Sequence, residues 1–165
     1  MMMLVLLAVP FILQAQTKFH DVEANEAKGP VKSITNSLMG QTQTINFTPE
    51  GKMQMDGVTD PVYDADGFLQ SYSMKSEVMQ MSIKYTWENG RVKSQSISMM
   101  GQTVTTDATY DDKGCVASQS MNMGGQQMNS TFSEYKLDDH GNWISRKAKM
   151  MGRDIEQTRT IEYYE

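Results

Sequence analysis

From Met79 the chain reads MQMSIKYTW, and its apolar side chains fall on every second position: Met79, Met81, Ile83, Tyr85 and Trp87. Gln80, Ser82, Lys84 and Thr86 fill the gaps. A period of two places the first set on one face of an extended strand and the second on the other. The C-terminal stretch repeats the device, with Ile155, Ile161 and Tyr163 facing one way and Glu156, Thr158, Thr160 and Glu162 the other. Asn89–Gly90 follows the first of these strands, and Asn-Gly between alternating segments is a strong hairpin signal. Short strands at steady spacing predict an all-β fold.

The alternation is itself repeated. GPVKSITNSLMGQ begins at Gly29, GRVKSQSISMMGQ at Gly90, GCVASQSMNMGGQ at Gly114 and GNWISRKAKMMGR at Gly141. Each carries a second glycine eleven positions later, at Gly40, Gly101, Gly125 and Gly152. Ser33, Ser94, Ser118 and Ser145 hold the fourth position after the first glycine. GFLQSYSMK at Gly67 fits without the later glycine, and GKMQM at Gly51 is a shortened copy. Before the opening glycines stand NFTPEG, VYDADG, YTWENG, TYDDKG and YKLDDHG, an aromatic residue followed by a polar turn. Asp and Asn favour such turns because their side chains bond nearby backbone, and glycine takes positive φ without steric cost. A period of roughly 22–27 residues built this way marks a repeat protein. Each unit is strand, tight turn, strand, acidic turn, and about six hairpin units are expected over residues 29–165.

The register has one irregularity. Apolar residues early in each outgoing strand, such as Val92, lie at even offsets from the glycine, while Ile97 and Met99 lie at odd offsets. Either a bulge shifts the register by one residue, or the sheet is covered on both faces.

Tyr63-Asp64 with Gly67 and Tyr110-Asp111 with Gly114 resemble the YD repeats of the Rhs family of exported proteins. Phe47, Tyr85 and Tyr135 head looser copies. The likeness covers about residues 29–165 and implies β-hairpins that build a curling sheet. In large members of that family the sheet encloses a cargo domain; this chain has too few units to close such a shell. The expected architecture is an antiparallel meander of hairpins in a twisted, curled or partly closed sheet, because a flat meander leaves edges open to association.

Composition adds a destination and a soft core. MMMLVLLAVPFILQAQ is uncharged and holds an apolar run from Leu4 to Leu13. That run is short of the ~20 residues a bilayer span needs and reads as a signal-peptide core. Residues 1–15 are expected to be removed after Ala15, leaving a charged lead-in over residues 16–28 that covers one edge. No Cys at the cut supports a lipid anchor, so the mature protein is expected to be periplasmic or extracellular. Only 39% of residues are apolar, and 16 are Met against five Phe. The core is therefore expected to be thin and rich in methionine. The net charge of −5, with no basic stripe, argues against nucleic acid as a partner.

Candidate chemistry is sparse. His20 lies in the lead-in and His140 in the DDHG turn, with no nucleophile elbow, HExxH pair or phosphate loop. No catalytic, cofactor-binding or metal-binding residue is assigned. Cys115, the single cysteine, reads as a small, partly buried apolar residue. Asp60, Asp64 and Asp66 lack the late Glu of a calcium loop and read as a turn. Met53/Met55, Met79/Met81 and Met121/Met123 each put two thioethers on one strand face. Thioether sulfur suits Cu(I) and also fills cores. Trp87, Trp143 and the repeat tyrosines offer either a stacking surface or cross-strand pairs that stabilise the sheet. Asn46 and Asn129 head N-glycosylation triplets. The leading expectation is an exported, non-catalytic binding or scaffold module presenting a sheet face to a protein or glycan. The alternative is a methionine-rich Cu(I) protein; a hydrolase ranks third.

Overall fold

The computed structural model describes residues 18–77 and 79–165. The expected signal peptide, residues 1–15, lies outside them. One helical turn, α1 (Asp21–Ala24), precedes twelve strands among the described residues. These are β1 Val31–Leu38, β2 Gln41–Phe47, β3 Met53–Gln54, β4 Val58–Tyr63, β5 Leu69–Lys75 and β6 Gln80–Glu88. They continue with β7 Arg91–Met99, β8 Gln102–Tyr110, β9 Val116–Met123, β10 Gln126–Leu137, β11 Trp143–Met150 and β12 Arg153–Tyr163. All pair antiparallel in one twisted, nearly closed sheet, as the alternation predicts.

The strand order is β3-β2-β1-β12-β11-β10-β9-β8-β7-β6-β5-β4. The last strand therefore pairs with the first, Ile34 opposite Ile161. The two edges, β3 and β4, are neighbours in the chain, so the exposed edges lie together at a single seam. That arrangement leaves little free edge for another chain to extend.

The register irregularity is a bulge, and it recurs. Trp87 pairs with Val92 and Thr86 with Ser94, leaving Lys93 over. Tyr110 pairs with Val116 and Thr109 with Ser118, leaving Ala117. Leu137 with Trp143 and Lys136 with Ser145 leave Ile144, Tyr63 with Leu69 and Val62 with Ser71 leave Gln70, and Val31 and Ser33 bracket Lys32. In each case the extra residue is the third after the opening glycine. It shifts the alternation by one and bends the strand, which a narrow sheet needs in order to curl.

The repeated aromatics serve this bulge. Trp87 Nε1 donates to the Leu69 carbonyl at 2.8 Å, Tyr110 Oη to that of Val92 at 2.7 Å and Tyr135 Oη to that of Val116 at 2.7 Å. Arg159 Nε fills the same role toward Trp143 at 2.6 Å. Each unit thus latches onto the bulged start of the unit before it, and a carbonyl at an irregular point of the ladder is satisfied. The acidic residue of each turn ties the turn through one oxygen, and Asp64 and Asp138 use the other to accept from Gln70 and Tyr163. Asp64, Asp111 and Asp138 each accept two backbone N–H groups through Oδ1, from the residues two and four positions on.

Paired residues share a face, so the rows Ile83–Ile97–Val104–Met123 and Lys84–Ser96–Thr105–Asn122 lie on opposite sides of the sheet. The first faces inward and the second outward, where hydroxyl pairs such as Ser96–Thr105 (3.0 Å) and Thr109–Ser118 (2.7 Å) recur. The buried core is Val31, Ile34, Ile45 and Phe47 with Val22 and Ala27 of the lead-in, then Leu69, Tyr72 and Ile83, then Val116, Phe132 and Ala148. Full burial of each large apolar side chain contributes about 1.5–3 kcal/mol.

Candidate functional site

The two ends of the rolled sheet differ. At the end of the acidic turns the lead-in runs across the opening. Phe19 N donates to Glu50 O at 3.0 Å and His20 N to Gly67 O at 3.1 Å. Lys28 and Asn142 exchange two hydrogen bonds at 2.9 Å. Glu26 Oε2 accepts from Trp143 Nε1 at 3.1 Å and forms an ion pair with Arg146 Nη1 at 2.6 Å. Asp21, 1% exposed, reaches both edge strands: its Oδ2 accepts from Met53 N of β3 at 2.7 Å and from Tyr63 Oη of β4 at 2.8 Å. The carboxylate thereby closes the seam that the strand ladder leaves open. Burial pushes its pKa up, against the pull of those two donors.

The opposite end is open and edged by two-residue hairpins. Met39–Gly40, Met100–Gly101 and Met151–Gly152 take positive φ at both positions, the type I′ geometry. Their methionines are 82%, 89% and 84% exposed. At the closed end the same turn type carries Asn89–Gly90.

Between the ends lies a cavity of about 460 Å³, within the 300–1,000 Å³ usual for small-molecule sites. Met53 and Met55 by the seam, Met74 of β5 and Met81 of β6 line it, together with Ile45, Ile83 and Ile97. Met81 is paired on one side with Met74 and on the other with Met99, so three thioethers stand in a row on adjacent strands. Met121 and Met128 form another inward pair, in register with Gln95 and Thr106. The deep wall toward the closed end is polar. There Arg146 and Arg159 lie over the Trp143 ring, at 4.2 and 3.9 Å from its centroid, and both line the cavity.

Arg146 gives Nε to Gln157 at 2.6 Å and Nη1 to Glu26 and, at 3.2 Å, to Tyr135. Arg159 donates only to carbonyls, of Trp143, Asn25 and Glu26, and burial lowers its pKa to about 10, which leaves it charged at neutral pH. Tyr85, which lines the same cavity and accepts from Gln95 at 3.2 Å, is pushed well above the usual phenol range by burial and by Tyr72.

The remaining sequence candidates fall elsewhere. His20 stacks on Phe68 at 4.0 Å and His140 on Tyr163 at 3.8 Å, so the two imidazoles belong to different turns. Cys115 borders a smaller cleft of about 220 Å³ at the closed end, with Lys28, Arg91, Lys113 and Glu23. Burial, then Asp111 and Glu26, push its thiol pKa up, away from the thiolate that nucleophilic chemistry needs. No cluster of three or more His, Cys, Asp or Glu suited to a metal ion occurs among the described residues. Asp64 is occupied by the turn and by Gln70. Trp143 is 7% exposed, and Trp87 gives its indole N–H to the latch. Asn46 and Asn129 are exposed on their strands.

Sequence reasoning paired methionines along single strands and missed their convergence across strands. It also passed over Arg146 and Arg159, because nothing local marks two arginines that meet only when β11 and β12 pair and the lead-in covers them. No protein-family model matches the chain, and no curated protein matches it significantly.

Proposed function

We propose that this protein is an exported, non-catalytic binding module that takes an apolar ligand on its concave side, in the lumen walled by methionine. One observation carries the reading: Met53, Met55, Met74 and Met81 converge with three isoleucines on a single cavity with an open end, while the outward rows are Ser, Thr, Asn and Lys. Flexible thioethers suit a site that must adapt to its occupant. The YD-repeat relationship belongs to the same proposal, supported by the recurrent aromatic, acidic turn and glycine. Export rests on residues 1–15, and an intact leader on protein recovered from the medium or periplasm would exclude cleavage after Ala15.

The test is saturable binding of a neutral fluorescent probe, N-phenyl-1-naphthylamine, to the protein from which residues 1–15 have been removed. Binding should weaken on Ile83→Asn in a variant that keeps its β circular-dichroism spectrum. A lumen that takes up no probe would overturn the reading.

A second reading is Cu(I) binding, favoured by the Met74–Met81–Met99 row. Changing all three to Leu preserves apolar volume and removes sulfur. Loss of Cu(I) uptake with retention of the probe would support copper; no uptake by the unaltered protein would exclude it.

A further inference from the structure

The cavity carries a charge of the wrong sign for the chain around it. The whole protein has a net charge of −5, yet among the described residues the charged ones that line the lumen are Glu26, Arg146 and Arg159. Two guanidiniums against one carboxylate leave one positive charge on the deep wall. Arg146 is 7% and Arg159 5% exposed, so water screens that charge weakly.

The hydrogen bonds show which atom is available. The Nε, Nη1 and Nη2 of Arg159 are each given to a backbone carbonyl. Arg146 donates through Nε and Nη1, and its Nη2 makes no hydrogen bond among the described residues. Nη2 is also not among the fully enclosed atoms without a partner, so it faces the cavity that Arg146 lines. Trp143 beneath the guanidinium and Gln157 and Glu26 beside it hold the group in place. A fixed guanidinium with a free N–H suits a carboxylate oxygen.

Beyond Arg146 the cavity has an apolar side, with Ile45, Leu38 and the residues of β5 to β7, alongside the polar Asn36, Ser37, Gln43 and Thr158. Met150 lies four positions after Arg146 along β11 and adjoins the Met151–Gly152 turn at the open end. That is about 13 Å of strand. Ile83, Ile97, Met74 and Met81 face the same space.

Resting on the lumen reading proposed above, we infer that the ligand is a long-chain monocarboxylate, seated with its carboxylate on Arg146 Nη2 and its chain running between the methionines toward the open end. A single surplus charge matches a monoanion. A neutral lipid leaves Arg146 Nη2 without a partner when it displaces water, and a cationic amphiphile is repelled.

The experiment compares dodecanoate, its methyl ester, dodecyltrimethylammonium and acetate as competitors of N-phenyl-1-naphthylamine, all below their aggregation limits. Dodecanoate should compete at least tenfold better than the ester, the ammonium should be weakest, and acetate should not compete. Arg146→Gln combined with Glu26→Gln, which avoids leaving a buried carboxylate unpaired, should bring acid and ester to equal affinity while the probe still binds. Equal competition by acid and ester on the unaltered protein overturns the head-group assignment and leaves the lumen reading standing. Failure of the probe itself removes both. An acid preference that survives in the folded double variant overturns Arg146 as its source. If that variant does not fold, the acid-to-ester ratio on the unaltered protein decides.

Discussion

The Tyr63 hydroxyl donates to Asp21 Oδ2 at 2.8 Å, across the point where the sheet would otherwise stand open. Tyr63 ends one edge strand, and the same carboxylate oxygen takes Met53 N from the other. A residue of the lead-in thus holds together two strands whose backbones do not pair. Its second oxygen, Oδ1, is enclosed and has no partner among the described residues, so ionisation there is costly.

That cost has a sign in pH. Burial raises the folded pKa of Asp21 above its usual 3.8. Between 3.8 and the raised value the folded protein holds a proton that the unfolded chain has released. Stability should therefore fall as pH rises through that window, by up to about 1.4 kcal/mol per pH unit, and stay reduced above it. Asp21→Asn should flatten this slope while keeping an acceptor for Tyr63. Urea melts from pH 4 to 7 on both proteins measure it; parallel curves would refute the assignment.

Removing a latch should loosen one repeat without unfolding the sheet. Tyr110→Phe deletes the 2.7 Å bond to the Val92 carbonyl and keeps the ring. Equilibrium denaturation should show a loss of about 0.5–1.5 kcal/mol. Tyr135→Phe should behave alike, since its bond to Val116 has the same length and place.

The open-end turns should be improvable. Met39, Met100 and Met151 sit at φ near +50°, where an L-residue with a bulky side chain is strained by ~1–2 kcal/mol. Replacing Met100 by Asn, the residue the chain uses at position 89, should raise stability by about 0.5–1 kcal/mol, part of that strain. Its exposure of 89% means that little packing is lost. A melting temperature that falls would show that Met100 makes contacts its exposure does not suggest.

Two glycines of similar φ should respond differently to alanine. Gly40, at φ +81°, has nothing within 4 Å of a would-be Cβ, so Gly40→Ala meets only backbone strain. Gly67, at φ +88°, would place that carbon 2.1 Å from the Lys18 carbonyl. Gly67→Ala should push the lead-in off the closed end and speed amide exchange at His20, whose N–H bonds to Gly67 O. Gly40→Ala should leave His20 protected.

Strand positions, turns and the inward or outward sense of most side chains could be read along the chain, because they are local. Alternation from Met79 to Trp87 dictates a face, and Asn89–Gly90 dictates a reversal, whatever lies nearby. The offset between Val92 and Ile97 marked an irregularity, but a bulge and a sheet covered on both faces explained it equally well until the strands were paired. Closure of the sheet could not be read that way. Pairing of β12 with β1 joins residues more than a hundred positions apart, and no periodicity encodes which edge meets which. The site followed closure: Arg146, Arg159 and Met74 are unremarkable in their own segments and face one cavity only because the roll brings distant strands around it. Asp21 looked like one charge among several in a polar lead-in. Folding buried it at the seam, where desolvation, a property of the assembled structure, set its chemistry.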